Sequence, residues 1–223
     1  SLEEKFDQAD LTGRIAHQPE AAFQLMEQLY RENPEDPQAC FMYGQHLIIQ
    51  KNELGVKALE KAMQLNEFST LRCCELLQQY YGGQGDEAQA AKYQQQLENR
   101  AVLERNAVAE RESVAPSDQF IAHDLSQEQL ADFLAQLRKF SNIKAAFLVR
   151  KQTAFLPHIP CYVLGFSIKQ GFGKVSETAV MQTMQVLHEQ VAFPGETFLI
   201  NLDFPQNSKI KKKMKQLAGA EII

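Results

Sequence analysis

Tryptophan is absent from this chain of 223 residues, cysteine occurs four times and histidine five times. Each scarcity excludes something. Cys40, Cys73, Cys74 and Cys161 form no CxxC pair and have no His-rich neighbourhood, so neither a structural zinc site nor a redox dithiol is written here. Three of the four sit in apolar periodic segments, as small buried hydrophobes do, and the pattern suits a reducing compartment. No apolar run approaches the ~18–20 residues needed to span a bilayer, and no charged-then-apolar leader opens the chain. The expectation is a soluble, intracellular polypeptide. Because Ser1 falls within an amphipathic pattern, the expectation is also of a piece of something longer.

What is present is ordinary for a globular protein: 44% apolar and 23% charged residues. A chain this long buries roughly 70% of its unfolded surface and needs no staples. The net charge of −5 is unevenly spread. Residues 1–112 carry 11 basic against 19 acidic side chains, and residues 113–223 carry 12 against 9. This asymmetry predicts two units with different surroundings.

The first half reads as helices. Ala22, Met26 and Leu29 share one face, and Asn33-Pro34-Glu35-Asp36-Pro37 stops and restarts the chain. Cys40-x2-Tyr43-Gly44-x2-Leu47, then Gly55-x3-Leu59 and Ala62, follow the tetratricopeptide pattern of large and small residues at a period of about 34. One period from Gly44 leads to Gln78, flanked by Cys74, Leu77 and Tyr81, with one loop short by a residue. Gly82-Gly83-Gln84-Gly85-Asp86 lacks the Lys-Ser/Thr of a phosphate loop and reads as a helix C-cap followed by an Asp N-cap. A long helix is predicted from Asp86 to about Glu112. Ser113-Val114-Ala115-Pro116-Ser117 is the expected boundary.

The second half changes character. Ser126-Gln127-Glu128-Gln129 is a capping box that opens a helix to about Phe140. Residues 143–150, 161–168 and 197–202 read as strands. Gly171-Phe172-Gly173 ends the second of them, and Ser176 caps a helix to about Val191. A last helix ends near Leu217, and Glu221-Ile222-Ile223 adds a short strand. The overall expectation is an α+β chain. A TPR-like all-α repeat stack (1–112) leads through a linker (113–125) to a small two-layer α/β sandwich (126–223).

No catalytic or metal-binding constellation stands out. His188-Glu189 begins like HExxH, but Ala192 holds the second histidine's place. Cys161 near His158, and His123-Asp124, are the only pairs worth weighing for nucleophilic work, and strand and turn chemistry explain both. His17 and His46 lie in helical segments without partner ligands. No cofactor is expected in this chain. Two surfaces are candidates for partners. A TPR-like groove would be lined by Gln38, Phe41, Gln45 and Ile48, suited to an apolar helical ligand and not to a terminal carboxylate. Lys209, Lys211, Lys212, Lys213 and Lys215 surround Ile210, Met214 and Leu217 on an amphipathic helix. This face is either simply solvated or meets an anionic membrane surface. The lack of arginine and exposed aromatics in it argues against nucleic acid. The long helix before Ser113 could also support oligomers.

Taken with the helical repeats, Asp118-Gln119-Phe120-Ile121-Ala122-His123-Asp124-Leu125, Ala145-Ala146-Phe147-Leu148-Val149-Arg150-Lys151 and Pro160-Cys161-Tyr162-Val163-Leu164-Gly165 resemble the soluble C-terminal region of bacterial membrane-bound zinc metallopeptidases, relatives of HtpX and the CAAX prenyl proteases. That family's HExxH and downstream glutamate have no counterpart here, so no catalytic residue carries over. The resemblance implies a non-catalytic accessory region on the cytoplasmic side of the inner membrane, tethered through a missing N-terminal part. Its partner would be a protein or peptide, including its own protease domain. A free-standing cytosolic adaptor and an enzyme with a site in the α/β domain are the alternatives.

Overall fold

The computed structural model describes residues 2–14, 19–169 and 176–223. Nine α-helices and one four-stranded mixed sheet are found among them, so the chain is α+β. It divides into two compact units, Ser1–Leu103 and Glu104–Ile223. The division falls inside a helix and not at the expected linker.

Unit 1 contains α1 (Leu2–Arg14), α2 (Pro19–Glu32), α3 (Pro37–Ile49), α4 (Leu54–Leu65), α5 (Thr70–Gln84) and the first part of α6 (Glu87–Arg111). The sequence punctuates these helices as expected. Asp36 caps α3 by accepting the Ala39 N–H, with Pro37 in the first turn. Gly85 ends α5 in the left-handed conformation, and the Asp86 side chain accepts the Gln89 N–H at the start of α6. The α3–α4 hairpin interlocks through two glycines. A Cβ on Gly55 would lie 2.7 Å from the Gly44 carbonyl oxygen and 2.9 Å from the Ile48 nitrogen, and one on Gly44 would meet Leu59 at 2.9 Å. Cys40, Leu59, Ala62, Cys73, Cys74 and Leu77 fill the core around this contact.

α6 meets α4, and the short 3-10 turn at Glu67 that follows it, at a constant offset in sequence. Tyr93 donates to Glu60 at 2.7 Å, Gln96 reaches the Met63 sulfur at 4.0 Å, and Arg100 donates to Glu67 at 2.6 Å, each pair 33 residues apart. A constant difference means that the two helices run parallel in one register. The structural offset is one residue shorter than the 34 used to pair Gly44 with Gln78. Leu77 is fully buried, while Gln78 is half-buried.

Unit 2 begins with the last turns of α6. It continues with β1 (Phe120–Ala122), α7 (Gln127–Leu137), β2 (Ile143–Lys151), β3 (Cys161–Ile168), α8 (Glu177–Gln190), β4 (Glu196–Asn201) and α9 (Ser208–Gln216). The Ser126 capping box is complete: Gln129 N donates to Ser126 Oγ at 3.1 Å, and Ser126 N donates to Gln129 Oε1 at 2.9 Å. The sheet order is β1-β2-β3-β4, with the first two pairings antiparallel and β3–β4 parallel across α8. The expected linker at 113–125 therefore contains a strand. β1 has only Phe120 buried, too short and too exposed to show a period-two pattern. The C-terminal segment continues the β1 edge: Leu148 N donates to Ala220 O at 2.8 Å and Ile222 N to Ala146 O at 2.8 Å.

The sheet is covered on both faces, which corrects the two-layer expectation to three layers. Ala146, Leu148, Tyr162, Leu164 and Phe166 pack against Phe133 and Leu137 of α7 and Val180 and Leu187 of α8. Phe147, Val149 and Val163 pack against Ile210 and Met214 of α9. Gly165 lets α9 come close, since a Cβ there would lie 2.6 Å from the Met214 sulfur. β3 is buried along its whole length and reads as a continuous apolar run, as a strand covered on both sides does. The expectation for Gly171-Phe172-Gly173 lies outside the described residues, as does His17.

Candidate functional site

The predicted groove residues share one face of α3 but differ in burial. Gln38 is exposed, Gln45 is half-buried, and Phe41 packs against the Cys40–Leu59 core. Ile48 belongs to that core: its nitrogen and Cγ1 form the wall that a Gly55 Cβ would strike. The reason is rotational. Ile48 lies one turn from Gly44 on the face that closes onto α4, and its neighbour Ile49 takes the open position at 70% exposure. Leu54, at the other side of the α3–α4 turn, is 57% exposed. Sequence reasoning missed this pair, and two large apolar residues bracketing Lys51-Asn52 were the available signal. On the α2 side of α3, rings stack in series: Tyr30 with Tyr43 at 4.6 Å, Phe23 with Tyr43 at 6.0 Å, and Phe23 with His46 at 4.6 Å. Burial lowers the His46 pKa, so this imidazole is neutral near pH 7 and serves the stack.

Of the titratable pairs weighed from sequence, Cys161 is a buried thiol and Asp124 is held in a hydrogen-bonded network. All four thiols are free and buried. Burial pushes Cys73 up to about 12 and Cys74 to about 11, and raises Cys40 and Cys161, so none is an activated nucleophile. Asp124 is tied to Tyr162, whose hydroxyl donates at 2.7 Å, and to Arg150. Burial and that carboxylate push Tyr162 up to about 12. His188 is exposed on α8, which ends at Gln190, before Ala192. Among the described residues, no group of three or more His, Cys, Asp or Glu is placed to hold a metal ion.

A polar hub joins the end of α6 to the 152–160 loop within unit 2. Arg111 is buried and donates to the carbonyls of Phe155 at 2.9 Å, Leu156 at 2.8 Å and Ile159 at 3.2 Å. Glu110 accepts the Ala154 N–H at 2.8 Å and the Phe155 N–H at 3.0 Å. Lys151, also buried, pairs with Asp118 at 2.9 Å and donates to the carbonyls of Glu110 and Ser113. Leu156 is held at φ 50°, a left-handed conformation uncommon for leucine, where its carbonyl meets Arg111.

The lysine-rich helix divides into two sets. Lys213 donates to the Asp118 carbonyl at 2.7 Å, and Lys211 reaches Asp203 at 3.5 Å, so two of the five lysines serve the fold. Lys209, Lys212 and Lys215 are exposed, while Ile210 and Met214 are buried, as the amphipathic pattern predicts. Beside α9 lies a cleft of about 150 Å³ lined by Lys144, Ser167, Asp203, Lys211, Lys215 and Glu221, with Ala145 and Phe147 as its apolar wall. Lys144 was missed because it lies on β2, far from the lysine run in sequence. A second, open apolar hollow of about 580 Å³ runs between α8 and β4, with Met181, Met184, Phe198 and Leu199 in its walls.

No helix among the described residues is long and apolar enough to cross a membrane. No protein-family model matches this chain, and no curated protein matches it.

Proposed function

We propose that the chain is a non-catalytic interaction region whose unit 1 is a TPR-like repeat stack, and that it is the accessory part of a membrane-bound zinc metallopeptidase. The observation that carries the first statement is the 33-residue offset at which α4 and α6 run parallel, joined to the glycine interlock of α3 and α4. A repeat unit cannot bury its apolar face alone, and stacking at one period is the solution such sequences adopt. A stack of this kind offers side chains along successive first helices. On one such helix, α3, those are the exposed Gln38, the half-buried Gln45 and the exposed Ile49. With no cation among these three, the surface suits an apolar helical segment in preference to an acidic tail. The second statement rests on the motif resemblance, and places the region on the cytoplasmic side beside its own protease domain.

The test is a photo-crosslinking residue at Gln45 in the native protein, with Gln94 on the exposed side of α6 as control. Capture of an in-frame HExxH-bearing domain, or of a substrate of it, from position 45 and not 94 supports the proposal. Equal capture from both positions refutes the surface. A native gene that encodes no HExxH or apolar spans in frame upstream removes the protease and leaves a free adaptor.

A further inference from the structure

We propose that the cleft beside α9 is a binding site for a small phosphate-class oxyanion. Its charge balance is not that of a closed structural network. Asp203 is already satisfied: one carboxylate oxygen accepts the Ile168 N–H at 3.0 Å and the other faces Lys211 at 3.5 Å. Lys144 and Lys215 line the same cleft and have no ion-pair or hydrogen-bond partner among the described residues. Against these two ammonium groups stands one further carboxylate, Glu221.

The second observation is Ser167. It is 4% exposed and has no side-chain hydrogen bond among the described residues. Ser167 pairs with Ala145 across β2–β3, on the face that carries Phe147 and α9, and all three residues line the cleft. Its hydroxyl opens on the cleft and can donate to a ligand held there. Two ammonium groups and one hydroxyl along the lining match a tetrahedral oxyanion with several acceptor oxygens. The volume of about 150 Å³ is below the ~300–1,000 Å³ of pockets that hold drug-sized ligands, so the ligand is a phosphate or a compact phosphomonoester. Lys209 and Lys212 on the exposed part of α9 raise the local positive potential without entering the cleft. This inference is independent of the proposed role of unit 1.

The full chain, isotope-labelled, is titrated with inorganic phosphate at constant ionic strength held by sodium chloride, and backbone amide shifts are followed. Saturable shifts confined to the neighbourhood of Lys144, Ser167, Lys211 and Lys215 are expected. Lys144→Gln with Lys215→Gln should weaken binding by about tenfold or more, as loss of charge-assisted hydrogen bonds does. Ser167→Ala should weaken it several-fold, and Glu221→Gln should tighten it. Both lysines are exposed, so their variants keep the fold, and unchanged shifts elsewhere in the spectrum verify this. Co-sedimentation with phosphatidic acid vesicles, competed by phosphate and lost in the double lysine variant, assigns the oxyanion to a lipid headgroup. Saturation without vesicle binding assigns it to a soluble phosphate. Non-saturating shifts, or identical saturation in the double lysine variant, overturn the site.

Discussion

Gly55→Ala adds one methyl group to the chain, and the structure predicts that it loosens the whole α3–α4 hairpin. The new Cβ would stand 2.7 Å from the Gly44 carbonyl oxygen and 2.9 Å from the Ile48 nitrogen. Both are backbone atoms of α3, so no side-chain rotation relieves the clash and the helices must part. Overpacking of this kind costs about 1–3 kcal/mol. Alanine's helix propensity returns up to ~1 kcal/mol in a helix interior, and less at Gly55, which is the second residue of α4. The net loss is about 1–2 kcal/mol, or about 2–8 °C in Tm for a chain of this size. Gly82→Ala is the matched control. Gly82 lies within α5 and has nothing within 4 Å of an added Cβ, so the same chemical change should leave stability equal or raise it by a few tenths of a kcal/mol. Five of the six tyrosines, Tyr30, Tyr43, Tyr80, Tyr81 and Tyr93, fall in unit 1. Near-ultraviolet circular dichroism during urea or thermal unfolding therefore reports mainly on the unit that is perturbed. If Gly55→Ala is as stable as Gly82→Ala, helix approach through glycine is not what holds this hairpin.

Two further outcomes follow from unit 2. Arg111→Met keeps the length of the side chain but strands the carbonyls of Phe155, Leu156 and Ile159, and should cost roughly 2–4 kcal/mol in urea unfolding of unit 2. A loss below about 0.5 kcal/mol, the range of an ordinary surface change, would refute the hub. Tyr162 is pushed up to about 12 by burial and the Asp124 carboxylate, above its ordinary value of 10.0. The folded state then holds a proton that the unfolded state has released, so this contribution is intact below pH 10 and is lost as pH rises toward 12. Absorbance titration at 295 nm of wild type against Tyr162→Phe should show one late-titrating phenol missing from the variant. If the missing phenol titrates near pH 10, Tyr162 is not held by Asp124 in solution.

Punctuation and patterning carry much of this fold in the sequence itself. Asp36-Pro37, Gly85-Asp86 and the Ser126–Gln129 box mark helix ends because each supplies a local hydrogen bond or backbone conformation that needs no distant partner. The buried stripe of Ile210 and Met214 among lysines is legible for the same reason, since a helix face is a property of spacing alone. What the sequence left undecided depends on partners distant in the chain. Which of Ile48 and Ile49 is covered depends on how α3 rotates to bring Gly44 against Gly55. β1 exists because Lys151 and its neighbours offer an edge to Phe120–Ala122, not because three residues have a strand pattern. Lys211 and Lys213 look like surface charges until Asp203 and the Asp118 carbonyl are folded against them. Lys144 joins the cleft only through the pairing of β2 with β3 and the packing of α9 beside them. Local spacing thus determined where elements begin, end and turn an apolar face. Tertiary packing alone decided which polar groups remain without partners, because that depends on which surfaces meet.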